Sequence, residues 1–292
     1  MIKGLIIING YSTLSSSINQ AKRLEEEFKK LGVEITILKN DALLCSIKNS
    51  NIDCAIKNCD FCIYLDKDKY VSKMLESVGI RLFNSHESIR VCDDKMETYI
   101  ALSSKGIPIV NTLPAPLCYT SDATVSKNLL DKVESEIGYP VIIKNSYGSL
   151  GSGVFKADNR QELEKIANNL ISTPHLFQQF IKESSGIDTR VIVIGGKVVA
   201  SMERRSLIDF RSNIELGGTG VKVELDESFK KVAEKTAKTL NLDYCGIDLL
   251  HSRGGAVVCE VNSNAFFGGI ESVTKVNVAK AYAEYILSEI KS

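Results

Sequence analysis

Two adjacent glycines, Gly195-Gly196, separate the apolar runs Arg190–Ile194 and Lys197–Ser201. A two-residue glycine link supplies the positive φ values that match the twist of paired strands, so this segment is constrained to close as an antiparallel hairpin. A second hairpin is predicted from Gly246–His251 across Arg253-Gly254-Gly255 to Ala256–Asn262. Between them Phe229, Val232, Ala233, Thr236 and Leu240 share one helical face, which predicts a helix over Asp226–Leu240; another is expected over Glu271–Ile290. The C-terminal third, 186–292, therefore reads as antiparallel strands with covering helices.

The first 86 residues follow a different rule. Gly4–Asn9, Val33–Leu38, Asp60–Leu65 and Ile80–Phe83 read as short buried strands. They alternate with helices through Ile18, Ala21, Leu24, Phe28 and Leu31, ended by Gly32, and through Val71, Met74, Leu75 and Val78, ended by Gly79. Strand-helix-strand order at this spacing predicts a small parallel α/β domain. Its first turn, Asn9-Gly10-Tyr11-Ser12, lacks the glycine fingerprint of a dinucleotide site. All five prolines (108, 114, 116, 140 and 174) fall in the middle of the chain, which predicts short, punctuated elements over 87–185. The fold class is mixed α/β (α+β) in three parts: 1–86, 87–185 and 186–292.

Charge narrows the partners. The 292 residues carry 36 Lys plus Arg against 36 Asp plus Glu, a formal net charge of zero. Such a balance exerts no global pull on nucleic acid or anionic lipid, and no apolar run approaches the ~20 residues that span a bilayer. Neither nucleic acid nor membrane is an expected partner. The apolar start Met1–Gly10 is too short for a secretory signal and lacks a small-residue cleavage site. Eight cysteines between 45 and 259, mostly within apolar runs, fit free thiols in a reducing cytoplasm. Cys59-Asp60-Phe61-Cys62 has the CxxC spacing, but neither a second CxxC nor a paired His completes four zinc ligands.

Three segments carry chemistry. The loop Tyr147-Gly148-Ser149-Leu150-Gly151-Ser152-Gly153 joins two predicted strands, Val141–Lys144 and Val154–Ala157. Its glycines allow a backbone to approach an anion closely, and Lys144 at the end of the preceding strand can set an ammonium beside phosphates; a plain hairpin turn is the alternative. Asp248 lies in one strand of the second hairpin, and Glu260 and Asn262 lie two apart in the other. Residues two apart on a strand share a face, so the three oxygen side chains converge if the strands pair. Hard oxygen ligands suit Mg²⁺; the alternative is a salt bridge from the acid to a central arginine. The third segment holds Asp188, Arg190, Arg204, Arg205 and Arg211-Ser212-Asn213, and arginine clamps carboxylate or phosphate with two parallel hydrogen bonds unless it is only a solvated face. Gln178-Gln179-Phe180-Ile181 reads as a short strand against which an adenine could lie.

Taken in order, Lys95 in Asp93-Asp94-Lys95-Met96, Lys144, the glycine loop, Gln-Gln-Phe-Ile, Asp-x-Arg, Arg-Arg, Phe-Arg-Ser-Asn and Glu-Val-Asn resemble the ATP-grasp ligases. The run Ile187–Ala200 through Arg204-Arg205 and Phe210–Asn213 is similar, more narrowly, to the RimK-like group. That group joins an amino acid, often glutamate, to a carboxyl-bearing acceptor, either a small molecule or a protein C-terminus. The resemblance implies an ATP-grasp fold behind an N-terminal parallel α/β domain. It implies that Lys95 and Lys144 hold the α- and β-phosphates, with Gly148, Ser149, Gly151, Ser152 and Gly153 as a lid. Gln178, Gln179, Phe180 and Ile181 would line the adenine pocket, and Asp188 would lie near the ribose. Arg211, Ser212 and Asn213 would face the γ-phosphate, with Arg190 and Arg204 as clamps on substrate carboxylate or acyl phosphate. Asp248, Glu260 and Asn262 would hold two Mg²⁺ or Mn²⁺ ions. The group often assembles as a homodimer or homotetramer. Glu-Val-Asn is usually followed there by Ser-Ser-Pro-Gly; here Ser263-Asn264-Ala265-Phe266-Phe267 takes its place, so the loop shaping the acceptor pocket differs. Three other readings stay open: a D-alanine-type dipeptide ligase, a small-molecule kinase on the same fold, and a nucleotide-binding module without catalysis.

Overall fold

The fold is given by a computed structural model that describes residues 2–56, 58–120, 122–148, 151–214 and 217–291. In chain order, the N-terminal elements are β1 (Lys3–Ile8), α1 (Ser15–Lys30), β2 (Glu34–Lys39), β3 (Cys45–Lys48), β4 (Asn51–Cys54), β5 (Phe61–Leu65), α2 (Lys69–Ser77) and β6 (Leu82–Phe83). Strands β2-β1-β5-β6 form a parallel sheet, and β3-β4 form a separate antiparallel hairpin. Alternation along β1 explains its burial on both faces. Ile6 and Ile8 pack toward Leu24 and Phe28 of α1, while Leu5 and Ile7 pack toward Leu75 of α2 and the hairpin.

The middle of the chain supplies α3 (His86–Asp93), α4 (Lys95–Ser103), β7 (Thr112–Pro114), α5 (Lys127–Glu136), β8 (Val141–Asn145), β9 (Val154–Ala157), α6 (Arg160–Asn169) and β10 (His175–Gln179). Its antiparallel sheet has the order β7-β10-β8-β9, with α5 and α6 covering one face through Leu130, Val133, Leu163 and Ala167. The C-terminal part adds β11 (Ile187–Ile194), β12 (Lys197–Arg205), β13 (Thr219–Lys222), α7 (Glu227–Thr239), β14 (Tyr244–Ser252), β15 (Gly255–Asn262), α8 (Gly268–Thr274) and α9 (Val278–Lys291). These strands make an antiparallel sheet in the order β13-β12-β11-β14-β15. Helix α7 covers one face through Phe229, Ala233 and Ala237. Helix α9 turns back to the N-terminal sheet, where Tyr282, Ile286 and Leu287 join the core built on β1 and α1.

Four details differ from the sequence-based expectation. The single helix expected over Glu271–Ile290 is two, because Lys275 takes a left-handed φ of 63° and Asn277 restarts the chain by accepting a hydrogen bond from Lys280 N at 2.9 Å. The second hairpin turns on Arg253-Gly254, with Gly255 already in β15. Strand β10 stops at Gln179, leaving Phe180 and Ile181 beyond it. The β3-β4 hairpin was not expected: its strands are only four residues each, too short for their alternation to stand out, and they only partly bury their side chains. No helix among the described residues is long and apolar enough to cross a membrane.

Candidate active site

Antiparallel register places the predicted charged residues on one face of the C-terminal sheet. Asp188 stands opposite Arg204, Arg190 opposite Asp248, Asp248 opposite Glu260, and Gly246 opposite Asn262. With Asp188 and Arg190 two apart on β11, and Glu260 and Asn262 two apart on β15, all these side chains rise from the same surface. The expected convergence of Asp248, Glu260 and Asn262 follows from this register.

The charges on this face are paired across strands. Arg204, buried, donates Nε to Asp188 Oδ1 at 2.7 Å and lies 2.9 Å from Asp248 Oδ2. Arg190 grips both oxygens of Asp248, with NH2 at 2.7 Å from Oδ2. Burial opposes the charge on Asp248, but the two guanidinium groups outweigh it and hold the pKa at about 2. Burial pushes the Asp188 carboxyl up against the pull of Arg204. Asp248 thus makes the salt bridges raised as the alternative to metal binding. Glu260 is less engaged, with its nearest cation, Lys95 Nζ, at 3.7 Å.

A cavity of about 110 Å³ lies between this face and the middle sheet, with Lys95, Lys144, Gly151, Asp188, Asp248 and Glu260 in its walls. The predicted adenine-side residues Gln178, Gln179, Phe180 and Ile181 line it too, as do Arg211, Ser212 and Asn213. Lys95 begins α4, whose N-terminus is capped by Asp94 at 2.8 Å from Met96 N, and its Nζ donates to the Gly148 carbonyl at 2.8 Å. Burial lowers the Lys95 pKa, with Glu260 pulling the other way. Lys144 on β8 is also buried and donates to Cys259 Sγ at 3.4 Å. Gln178 is tied to Thr112 Oγ1 at 2.8 Å, and Gln179 pairs with Asn111 at 3.1 Å. Phe180 packs edge-on to Phe210 with centroids 6.4 Å apart.

The glycine loop tops the β8-β9 hairpin. Gly148, Gly151 and Gly153 have φ of 125°, 75° and 73°, and a Cβ on Gly153 would fall 2.5 Å from the Asn145 amide. Arg211 reaches across to the loop, donating NH1 to the Gly151 carbonyl at 2.9 Å while Asp209 holds its other nitrogens. Ser152 is part of the described loop; Ser149 lies outside the described residues.

A second cavity, of about 240 Å³, opens beside the first and shares Asn213 and Glu260 with it. One side comes from Arg190, Arg204, Asn262, Asn264 and Phe266, and the other from Asn9, Ser12, Asp66 and Lys67 of the N-terminal sheet. Sequence reading missed Asn9, Asp66 and Lys67. The available signal was positional: Asn9 and Asp66 directly follow parallel strands, the ends at which open α/β sheets bind ligands. Cys259, Tyr99 and Asp209 were missed as well. Of the two unusual phenylalanines, Phe266 lines the cavity and Phe267 is core.

The donor chemistry fits Mg²⁺. Glu260 and Asn262 offer hard oxygens beside the first cavity, and Asp248, paired with Arg190 and Arg204, would be the third. Among the described residues, no three His, Cys, Asp or Glu side chains form a cage of their own.

Comparison with known proteins agrees with this architecture. The family model of the RimK-like ATP-grasp domain matches residues 92–286. N-acetylaspartylglutamate synthase A of Homo sapiens is 38% identical over 226 residues, covering 76% of this chain and 56% of that protein. The chain thus spans little more than half the length of that relative. A probable alpha-L-glutamate ligase 2 of Pseudoalteromonas atlantica is 32% identical over 293 residues, covering 95% of this chain and 94% of its own. The crystal structure of D-alanine–D-alanine ligase from Bacillus anthracis superposes with a TM-score of 0.74, covering 99% of this chain and 97% of that one; at 18% identity it shows likeness of fold alone.

Proposed function

The chain belongs to the RimK-like ATP-grasp family, and from that premise we propose that it is an ATP-dependent ligase that joins a carboxylate to the amine of an amino acid such as glutamate. One observation carries the reading: the cavity lined by Lys95 and Lys144 and the second cavity meet at Glu260 and Asn213. A carboxylate bound in the second cavity would thereby face the terminal phosphate of a nucleotide bound in the first.

The reaction is written as two displacements. Carboxylate oxygen attacks the γ-phosphorus, ADP leaves, and an acyl phosphate forms; the amine nitrogen then attacks the acyl carbon and phosphate leaves. Lys95 and Lys144 hold the α- and β-phosphates, Arg211 and Ser212 lie against the γ-phosphate, and the Gly148–Gly153 loop excludes water that would hydrolyse the acyl phosphate. Two Mg²⁺ or Mn²⁺ ions held by Asp248, Glu260 and Asn262 would supply charge neutralisation at the phosphate oxygens. Arg190 and Arg204, which pair with Asp248, are the guanidinium groups that would meet a substrate carboxylate.

The test is release of ADP and free phosphate across a panel of carboxylates, with and without amino acids. Phosphate formed only when both are present supports ligation. A phosphorylated product would instead make the protein a kinase, and tight ATP binding without turnover would make it a binding module.

A further inference from the structure

The β3-β4 hairpin, outside both cavities, brings two thiols face to face. Its turn residues Asn49 and Ser50 have φ of 49° and 61°, the left-handed pair that a two-residue hairpin link requires. That turn sets Lys48 opposite Asn51 and, further along the strands, Cys45 opposite Cys54. Ala55 N donates to the Leu44 carbonyl at 2.9 Å, which makes Leu44 and Ala55 a hydrogen-bonded pair. Their neighbours Cys45 and Cys54 therefore occupy a non-hydrogen-bonded position, where opposed Cα atoms lie about 4.5 Å apart. A disulfide can bridge that separation.

The two sulfurs are already in contact. Cys45 Sγ donates to Cys54 Sγ at 3.2 Å, and both are free, half-buried thiols. No other two cysteine sulfurs share a hydrogen bond among the described residues: Cys118 turns to the Thr120 carbonyl, Cys259 accepts from Lys144, and Cys62 of the CxxC segment is fully buried in β5. Burial and the neighbouring Cys54 push the Cys45 thiol up to about 12, so Cys45 keeps its proton until its partner has reacted. Strands β3 and β4 pair only with each other. A two-stranded hairpin is marginal by itself, so its strands can part far enough to admit a small reagent.

We propose that Cys45 and Cys54 form a thiol–disulfide modification site, oxidised by a low-molecular-weight disulfide such as oxidised glutathione and reduced again by the corresponding thiol. Cys54 attacks one sulfur of the small disulfide and expels the first thiolate. Cys45 then gives up its proton, attacks the Cys54 sulfur of the mixed disulfide and expels the second. The protein loses two electrons and two protons, and the small disulfide becomes two thiols. The new bond closes the base of the hairpin, where Cys45 and Cys54 pack on the core shared with Leu75 of α2, and stabilises the N-terminal domain by restricting its unfolded chain. The site is independent of the ligase reading.

The experiment incubates the full native chain with oxidised and reduced glutathione at graded ratios, blocks the remaining thiols by alkylation, and maps tryptic peptides by mass spectrometry. Cleavage after Lys39, Lys48, Lys57 and Lys67 puts Cys45, Cys54 and the Cys59-Cys62 segment on separate peptides. The Cys45–Cys54 link should form on the order of tenfold faster than any other cross-link or mixed disulfide, and should be lost when reduced glutathione is in excess. The oxidised chain should unfold at a higher urea concentration than the reduced chain. Cys45→Ser removes the resolving thiol; it should leave glutathione trapped on Cys54 and abolish the gain in urea resistance. A first cross-link through Cys59 or Cys62, a Cys45–Cys54 link that forms only in urea, an oxidised chain that unfolds at lower urea, or a folded Cys45→Ser chain without glutathione on Cys54 would each overturn the proposal. The wild-type mapping needs no variant, so it decides the matter even if Cys45→Ser fails to fold.

Discussion

Replacing Arg204 with methionine should destabilise the protein in a way that reveals which carboxylate it serves. Arg204 is 4% exposed and pairs with two acids, Asp188 and Asp248. Asp248 would keep Arg190, which grips both of its oxygens. Asp188, 7% exposed, would keep no ion pair among the described residues. Stranding one buried charge costs about 3–5 kcal/mol, so a loss of that size is expected in urea denaturation followed by far-UV circular dichroism, the natural probe for a chain without tryptophan. Asp188→Asn in the Arg204→Met background should recover more than half of the loss, whereas Asp248→Asn should not. The pH dependence follows from the same pair. The Asp188 pKa already lies above 3.8 and would rise further without Arg204. Between the unfolded and folded pKa values the native state binds more protons, so stability falls as pH rises. The Arg204→Met deficit should therefore be smaller at pH 5 than at pH 8. Equal rescue by the two Asn substitutions, or a deficit below about 1 kcal/mol, would refute the assignment of Arg204 to Asp188.

Three further outcomes are expected. Glu260→Gln should raise the Mg²⁺ concentration for half-maximal ADP release by on the order of 10-fold or more, with a smaller change in nucleotide affinity; an unchanged Mg²⁺ requirement would remove Glu260 from the metal site. Phe267→Ala should cost about 3–5 kcal/mol in urea denaturation, because its ring is buried between Tyr244 and Ile270 in the core shared by α8 and α9. Gly218→Ala would place a methyl against the Ser212 carbonyl and 2.9 Å from that of Asn213. It should raise the ATP KM several-fold and lower urea stability as the backbone shifts, and an unchanged ATP KM would separate Gly218 from the Ser212-Asn213 segment.

The sequence already contained most of the ligand-facing residues, and the reason is local chemistry. The Gly195-Gly196 turn and the alternation through Glu260-Val261-Asn262 each impose their geometry within a few residues, so the register that gathers Asp188, Arg190, Arg204, Asp248 and Glu260 was legible. What remained hidden depends on distant partners. Nothing near Asp248 in sequence says that Arg190 and Arg204 will neutralise it, since those partners arrive from other strands. Asp66 sits in Leu65-Asp66-Lys67-Asp68, which reads as a solvated charge run until β1 and β2 bring Asn9 and Asn40 beside it. The broken final helix was missed because Lys275 has no intrinsic preference for the left-handed turn it makes.

Helix α9 has a consequence for the order in which the protein is made. Ile6, Ile8, Leu24 and Phe28 leave the ribosome well before Tyr282, Ile286 and Leu287, which finish the core they enter. Until some 250 further residues have been synthesised, the parallel sheet at the start of the chain has an apolar flank without its cover. The middle sheet has local partners in α5 and α6 and can settle as it emerges. Over that interval the nascent chain carries an uncovered apolar surface, and it is there that a chaperone would be expected to hold it.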